Sequence, residues 1–324
     1  MMISIKRTLL WHCMLFCLGL SLLWSTRLLA DAITPLRPLP SLSAARAALG
    51  KDLFHDLRLS ADGRISCASC HPLAQGGSDN LPQSTGIGGA VGQVNAPTVY
   101  NAAYNCMQFW DGRAANLHEQ AADPITNPAK MGSQWPALLQ RLQQDRPLVA
   151  RFQRLYPEEG LTQTSIIDAL VNFEFSLITV DAPFDRWLQG DSGAMGTLAL
   201  QGYYKFREFG CVSCHQGRLV GGNMFADMGT LHDYFRDRAE PPKESDLGRY
   251  RVTQNISDRY QFKVPSLRLA IKTPPYFHDG SSPTISDAVN KMAYYQLGRS
   301  LNSDDVEALV AFIASLQGKH ELLN

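Results

Sequence analysis

Two pentapeptides constrain this chain more than any other feature. Residues 67–71 and 211–215 read CASCH and CVSCH, so the pattern Cys-x-x-Cys-His occurs twice. In covalent c-type haem attachment, the two thiols of one turn reach the two porphyrin vinyl groups, and the adjacent imidazole becomes an iron ligand. Isolated Cys-x-x-Cys pairs also occur in redox motifs and zinc sites, but two complete copies favour two haem c groups. The predicted haem-binding residues are Cys67, Cys70, His71, Cys211, Cys214 and His215, with both histidines on iron.

The N-terminus has the organisation of a secretory signal, which haem c attachment requires. Two basic residues precede an apolar run from Thr8 to Trp24, and Ala30-Asp31-Ala32 offers a small-x-small cleavage site. We therefore predict that residues 1–32 are a cleaved signal peptide and that the mature protein is periplasmic. An uncleaved anchor is the alternative, although Arg27 interrupts the apolar run and leaves it short for a membrane span.

Cysteine usage after cleavage leaves one thiol outside the haem motifs. That thiol is Cys106, so no disulfide within the chain is expected, while reactivity or pairing between chains stays open. Its sequence neighbours are large and mostly apolar, namely Tyr104, Met107, Phe109 and Trp110. This setting predicts that Cys106 is a small buried hydrophobe.

Length and charge restrict the organisation and the partners. Lys plus Arg and Asp plus Glu are balanced at 30 each in the 324 residues, so nothing indicates a nucleic-acid partner. The mature length corresponds to about two domains, and one haem motif lies in each half. The predicted organisation is an extended, proline-containing lead-in at 33–43, an N-terminal haem domain at 44–187 and a C-terminal haem domain at 188–324.

Apolar periodicity around each motif predicts helices. They are expected at 44–54, 164–179, 198–209 and 303–317. The last of these has Asn302 and Ser303 as candidate caps and two aspartates in its first turn. The predicted fold class is mainly α, with two class I cytochrome c-like domains that each clamp one covalently bound haem c.

Six segments between and after the motifs carry a family resemblance. They are GGSDNLP at 76–82, NAPTV at 95–99, FWDGR at 109–113, EQA at 119–121, FKVPSLR at 262–268 and PYFHDG at 275–280. In this order they resemble the bacterial dihaem cytochrome c peroxidases, whose relatives include the dihaem enzyme that matures methylamine dehydrogenase. The resemblance extends over nearly all of the mature chain.

The resemblance implies different roles for the two haems. The N-terminal haem is expected to bind hydrogen peroxide, and the C-terminal haem to relay electrons from a small cytochrome c or cupredoxin. Met292 matches the thioether ligand of the relay haem, a ligand that raises the potential, although a methionine in a helix also commonly fills a core. Trp110 matches the tryptophan that the family places between the haems.

The resemblance also implies a calcium ion and an oligomeric state. Asn95, with the backbone carbonyls of Thr273 and Pro275, matches the calcium site between the domains of family members. Three oxygens completed by waters suit Ca²⁺. Related peroxidases are often dimers, so a homodimer is expected on the same ground.

One departure from the family pattern concerns the resting state of the first haem. Relatives commonly carry a histidine in the loop after the first motif, and this histidine binds the peroxidatic iron in the oxidised protein. Ungapped alignment from Asp79 places Ile87 there, and isoleucine cannot bind iron. We expect the oxidised first haem to lack a second histidine ligand, and electron paramagnetic resonance showing a low-spin bis-histidine species would contradict this.

The second departure affects acid–base chemistry. Gln120 matches the distal glutamine of the family, but Lys130 stands where relatives have the glutamate that moves the peroxide proton. An ordinary lysine has no lone pair at neutral pH, since its pKa is about 10.4. Lys130 could bind iron as a neutral amine, or hold an anion as an ammonium while water, His118 or Glu119 moves the proton, or point to solvent.

The sequence therefore predicts a periplasmic enzyme that reduces hydrogen peroxide to water with electrons passed from the C-terminal to the N-terminal haem. One alternative is a dihaem electron carrier without efficient peroxidase turnover. Another is an oxidant of a partner protein through high-valent iron. Relatives of that kind often have tyrosine in place of the relay methionine, so Met292 argues against it, although Tyr294 and Tyr295 lie close by.

Overall fold

The structure is a computed structural model that describes residues 32–39 and 43–323, and its regular elements are mainly helical. The predicted signal peptide lies outside the described residues except for Ala32. In the described residues the helices are α1 Ala44–Phe54, α2 Cys67–Cys70, α3 Leu117–Thr126, α4 Trp135–Leu142, α5 Arg146–Leu155, α6 Gln163–Ser176, α7 Pro183–Leu188, α8 Thr197–Glu208, α9 Tyr250–Thr253, α10 Ile285–Leu297 and α11 Ser303–Ser315. The mainly α class is confirmed.

The sequence does not predict the two short β-strands. Strands β1 Phe225–Asp227 and β2 Gln261–Lys263 pair antiparallel, with Ala226 opposite Phe262. Three residues are too few for a strand periodicity to be recognised in a sequence. Helix α11, in contrast, begins as its capping pattern predicts, because the Asn302 side chain accepts a hydrogen bond of 2.8 Å from the backbone N–H of Asp305.

Two helix pairs of similar design organise the two halves of the chain. Helix α1 packs on α6, and α8 packs on α11. At each contact a glycine allows the backbones to touch. A Cβ atom added to Gly50 would lie 1.8 Å from the carbonyl oxygen of Ala169, and one added to Gly202 would lie 1.8 Å from that of Ala308. A side chain at either glycine would overlap the partner backbone, so both contacts require glycine.

Each helix pair builds its own apolar cluster. The first cluster, which includes residues of α1 and α6, contains Leu49, Leu53, Phe54, Ile166, Leu170 and Phe173. The second, which includes residues of α7, α8 and α11, contains Phe184, Tyr203, Phe206, Leu309 and Phe312. These clusters position the haem motifs, because one motif follows α1 and the other follows α8.

Both ends of the described chain cross between these clusters. Ile33, in the predicted lead-in, is 1% exposed and belongs to the second cluster. Leu322 and Leu323 return from α11 to pack against the first cluster. The ends of the chain therefore tie the two halves together.

The prediction for Cys106 is wrong, because its side chain is exposed. Its backbone N–H donates to the carbonyl of Gly222 at 2.7 Å. In this irregular segment, neighbours in sequence face different surroundings: Trp110 lines a cavity, while the Tyr104 hydroxyl donates to the Arg37 carbonyl. Among the described residues, no helix has both the length and the apolar character that a membrane crossing demands.

Candidate functional site

The two haem motifs share one backbone hydrogen bond, although the first is an α-helical turn at Cys67–Cys70 and the second a 3-10 turn at Cys211–Ser213. In the first, the backbone N–H of His71 donates to the carbonyl of Cys67 at 3.0 Å, and in the second that of His215 donates to Cys211 at 3.0 Å. At the start of the first turn, the backbone N–H of Ser66 donates to the Ser69 hydroxyl at 3.0 Å and stabilises the turn. Each turn therefore presents two cysteines beside one histidine, as covalent attachment of a porphyrin requires.

Backbone carbonyls hold both imidazoles in one orientation. Nδ1 of His71 donates to the carbonyl of Gly77 at 3.0 Å, and Nδ1 of His215 donates to that of Val220 at 3.1 Å. Burial lowers the pKa of His71 and lowers that of His215 to about 4. Both rings are therefore neutral at pH 7, with Nε2 left as the electron-pair donor that a haem iron takes.

A large cavity brings the second motif together with Met292. Helix α10 turns one stripe into this cavity, consisting of Ile285, Ala288, Val289, Met292, Ala293 and Gln296, and the cavity is also lined by Cys211, Cys214 and His215. The spacing of the stripe is that of one helix face. Met292 and His215 therefore line one cavity, and both could bind the iron of a haem held there.

The two neighbouring tyrosines do not line this cavity. Tyr294 is 42% exposed and stacks on His232 with ring centroids 4.3 Å apart. Tyr295 packs edge-on against Tyr234 at 5.1 Å. Met228 also lines the cavity, but it packs with the aromatic cluster that includes Trp110. Of Met292, Tyr294 and Tyr295, only Met292 therefore lines the cavity with His215.

Trp110 lies where the two halves meet. It lines the cavity of the second motif, and its indole N–H donates to the Asn95 carbonyl at 3.0 Å. The preceding residue, Phe109, lines the same cavity and also contacts the other half. The Arg113 guanidinium lies 3.4 Å and the Lys130 ammonium 5.0 Å from its ring centroid. Residues 109–110 therefore connect the surroundings of the second motif with those of Lys130.

The three residues expected to hold calcium line the same cavity. The side-chain N–H of Asn95 donates to the carbonyl of Leu81 at 2.8 Å, so its oxygen is the atom left to bind a cation. Asn95 is 5% exposed and its backbone N–H donates to the carbonyl of His278 at 2.8 Å. These contacts fix Asn95 in the cavity lining that also includes Thr273 and Pro275, and oxygen donors of this kind suit a hard cation.

The chain folds back after α3 and brings Lys130 alongside that helix. The backbone N–H of Met131 donates to the carbonyl of Pro124 at 3.2 Å, and that of Ser133 to Ile125 at 2.8 Å. Ile87 joins this turn, since its N–H donates to the carbonyl of Lys130 at 2.7 Å. The two positions that depart from the family pattern are therefore neighbours in space.

Lys130 does not extend freely into solvent, because its ammonium lies 2.6 Å from Oδ2 of Asp123. Arg113 approaches the same oxygen at 3.5 Å. Burial lowers the pKa of Lys130, and Asp123 offsets this only in part. Burial would raise the pKa of Asp123, but Lys130 and Arg113 outweigh it and hold that pKa below its usual range.

His118 and Glu119, which could move the peroxide proton in place of a residue at position 130, make other contacts. His118 is 52% exposed and lies 3.6 Å from Asp168. The Glu119 carboxylate accepts a 2.8 Å hydrogen bond from the backbone N–H of Ala115, before α3 begins. Gln120 is partly buried on α3. Sequence reasoning missed Asp123, although its position three residues after Gln120 predicts a shared helix face.

Comparison with known proteins identifies similar chains. A family model described as di-haem cytochrome c peroxidase matches residues 44–193. Cytochrome c peroxidase of Escherichia coli K12 is 44% identical, and the match covers 88% of this chain and 61% of that protein. Cytochrome c551 peroxidase of Nitrosomonas europaea is 41% identical, over 97% of this chain and 92% of that protein.

Among solved structures, a MauG-like protein associated with microbial copper homeostasis superimposes with a TM-score of 0.76. The superposition covers 90% of this chain and 95% of that one, at 23% sequence identity. At this identity the likeness concerns the fold, and it agrees with the mainly helical architecture described above.

Proposed function

Because this chain belongs to the di-haem cytochrome c peroxidase family, we propose that it is a periplasmic peroxidase that reduces hydrogen peroxide with electrons from a small redox protein. One hydrogen peroxide, two electrons and two protons yield two waters. The observation that carries the proposal is the placement of residues 109–110, which border both the cavity of the second motif and the surroundings of Lys130. Residues 109–110 would therefore lie on the path of electrons from one haem to the other.

The two halves of the chain divide the work under this proposal. Residues 44–187 form the peroxidatic haem domain and residues 188–324 the relay domain. When bound, the haems supply redox storage and cleavage of the O–O bond. His71 and His215 would hold the two irons through Nε2, and Met292 would be a further ligand of the relay iron. Trp110, fixed by its hydrogen bond to Asn95, assists electron passage between them.

A calcium ion is part of the same proposal. The Asn95 side-chain oxygen and the carbonyls of Thr273 and Pro275 would bind it, with waters completing its shell. Asn95 also accepts the Trp110 indole N–H through its backbone carbonyl. The ion would therefore stabilise the segment that orients Trp110.

Steady-state peroxide consumption tests the proposal. The purified dihaem protein, supplied with a reduced small cytochrome c or with a reduced cupredoxin, is expected to consume peroxide and oxidise two donor molecules per peroxide. The comparison variant is Lys130→Glu, which restores the usual family residue. If the unchanged protein is inactive with both donors and Lys130→Glu creates activity, the chain is an electron carrier and the proposed function is wrong.

A further inference from the structure

We propose that Asp123 is the acid–base carboxylate of the peroxide site, and that it has taken over the task that a glutamate at position 130 performs in relatives. This inference deepens the proposed peroxidase function and rests on it. The site would contain a carboxylate held by Lys130, instead of a carboxylate at position 130.

The position of the Lys130 ammonium carries the argument. The backbone at position 130 is tied to the fold through the 2.7 Å hydrogen bond from Ile87, so its side chain starts from a fixed point. That side chain ends 2.6 Å from an Asp123 oxygen. A carboxylate oxygen therefore lies within hydrogen-bond distance of the place that the side chain at position 130 reaches.

Helix α3 places Asp123 on the same face as Gln120. Gln120 and Asp123 are three residues apart in α3, and such residues are surface neighbours whose Cβ atoms lie roughly 5–6 Å apart. A carboxylate at this place can act as a general acid–base group toward a molecule held by the glutamine. Glu119, which precedes Gln120, points away and is occupied at the start of the helix.

The electrostatic surroundings keep Asp123 ionised and accessible. Lys130 and Arg113 approach the same oxygen, at 2.6 and 3.5 Å, and its side chain remains 31% exposed. In the reaction, the carboxylate accepts the proton from one oxygen of hydrogen peroxide and returns it to the other oxygen. The O–O bond breaks with its electron pair going to that second oxygen, which leaves as water. The first oxygen becomes the second water when two electrons arrive from the donor protein and two protons from solvent.

The test compares three variants of the dihaem protein. Asp123→Asn keeps the size of the side chain and removes its charge. The double variant Asp123→Asn/Lys130→Glu places a carboxylate at position 130 instead of position 123. Asp52→Asn is the matched control, because Asp52 is 66% exposed in a surface ion pair with Arg151. Stopped-flow mixing measures the rate of reaction with peroxide and, in a second experiment, the rate of cyanide binding, in which hydrogen cyanide must lose its proton to a base.

Asp123→Asn is expected to slow both reactions by about 100-fold or more, the usual contribution of a positioned acid–base group. The double variant is expected to recover most of this loss, and Asp52→Asn to retain the original rates. Equal rates for Asp123→Asn and the unchanged protein would overturn the inference while leaving the peroxidase function intact. If the unchanged protein does not react with peroxide, the proposed function fails, and cyanide binding still decides whether Asp123 acts as a base.

Discussion

Met292→Leu is expected to lower the reduction potential of the C-terminal haem by on the order of 0.1 V or more, and to slow donor-driven peroxide reduction. Axial ligands set haem potentials over a span of ~0.8 V, and a thioether favours the reduced iron. Leucine has nearly the volume of methionine, so the packing of this helix face is expected to stay the same. The change therefore removes the sulfur and little else from the cavity that also contains His215.

Met228→Leu is the matched control for this prediction. Met228 lines the same cavity but packs with the cluster of Tyr234, Phe235 and Phe262. Potentiometric titration of both variants, followed in the haem absorption bands, measures the two potentials. A drop for Met228→Leu with no change for Met292→Leu would show that Met228 is the ligand and that the assignment of Met292 is wrong.

The parts of the fold that follow from local chemistry could be predicted from the sequence. Helix α1 was predicted at 44–54 and is observed at Ala44–Phe54. Helix α11 begins at its predicted cap because Asn302 satisfies a backbone N–H that the helix leaves unpaired. The haem motifs are equally local, since five consecutive residues contain both thiols and the imidazole.

The surroundings of Lys130 could not be predicted in the same way. The sequence showed that Lys130 is unusual, but the side chain's partner depends on the turn that folds back onto α3. Asp123 is seven residues away along the chain and 2.6 Å away in space. Local pattern also failed for Cys106, because an irregular segment has no periodicity that relates neighbours in sequence to a common environment.

The structure also explains how two equal motifs acquire unequal surroundings. Both histidines donate through Nδ1 to a backbone carbonyl, so the proximal sides match. The difference arises from other nearby elements: α10 with Met292 lines the cavity of the second motif, whereas Lys130 lies near Cys70 and His71 of the first. Under the proposed function, this difference is what would make one haem a relay and the other a reactive site.

Asp185→Ala is expected to lower the free energy of unfolding by about 3–5 kcal/mol, because it leaves a buried guanidinium without its counter-ion. Arg268 is 0% exposed and donates to both carboxylate oxygens of Asp185, at 2.8 and 2.7 Å. The same guanidinium donates to the carbonyls of Arg218 and Thr34. Arg268 thus connects three segments: α7, the residues that follow the second motif, and the lead-in. Removal of its counter-ion therefore affects all three.

Denaturant titration of the dihaem protein measures this effect, and Glu240→Ala is the control. Glu240 is 72% exposed in its ion pair with Lys243, and exposed pairs contribute about 0–1 kcal/mol. Replacing both buried partners by apolar residues, Asp185→Leu with Arg268→Met, is expected to recover stability relative to Asp185→Ala, because no charge is then left buried. A loss for Asp185→Ala as small as that for Glu240→Ala would show that water reaches Arg268 and that the ion pair does not join these three segments.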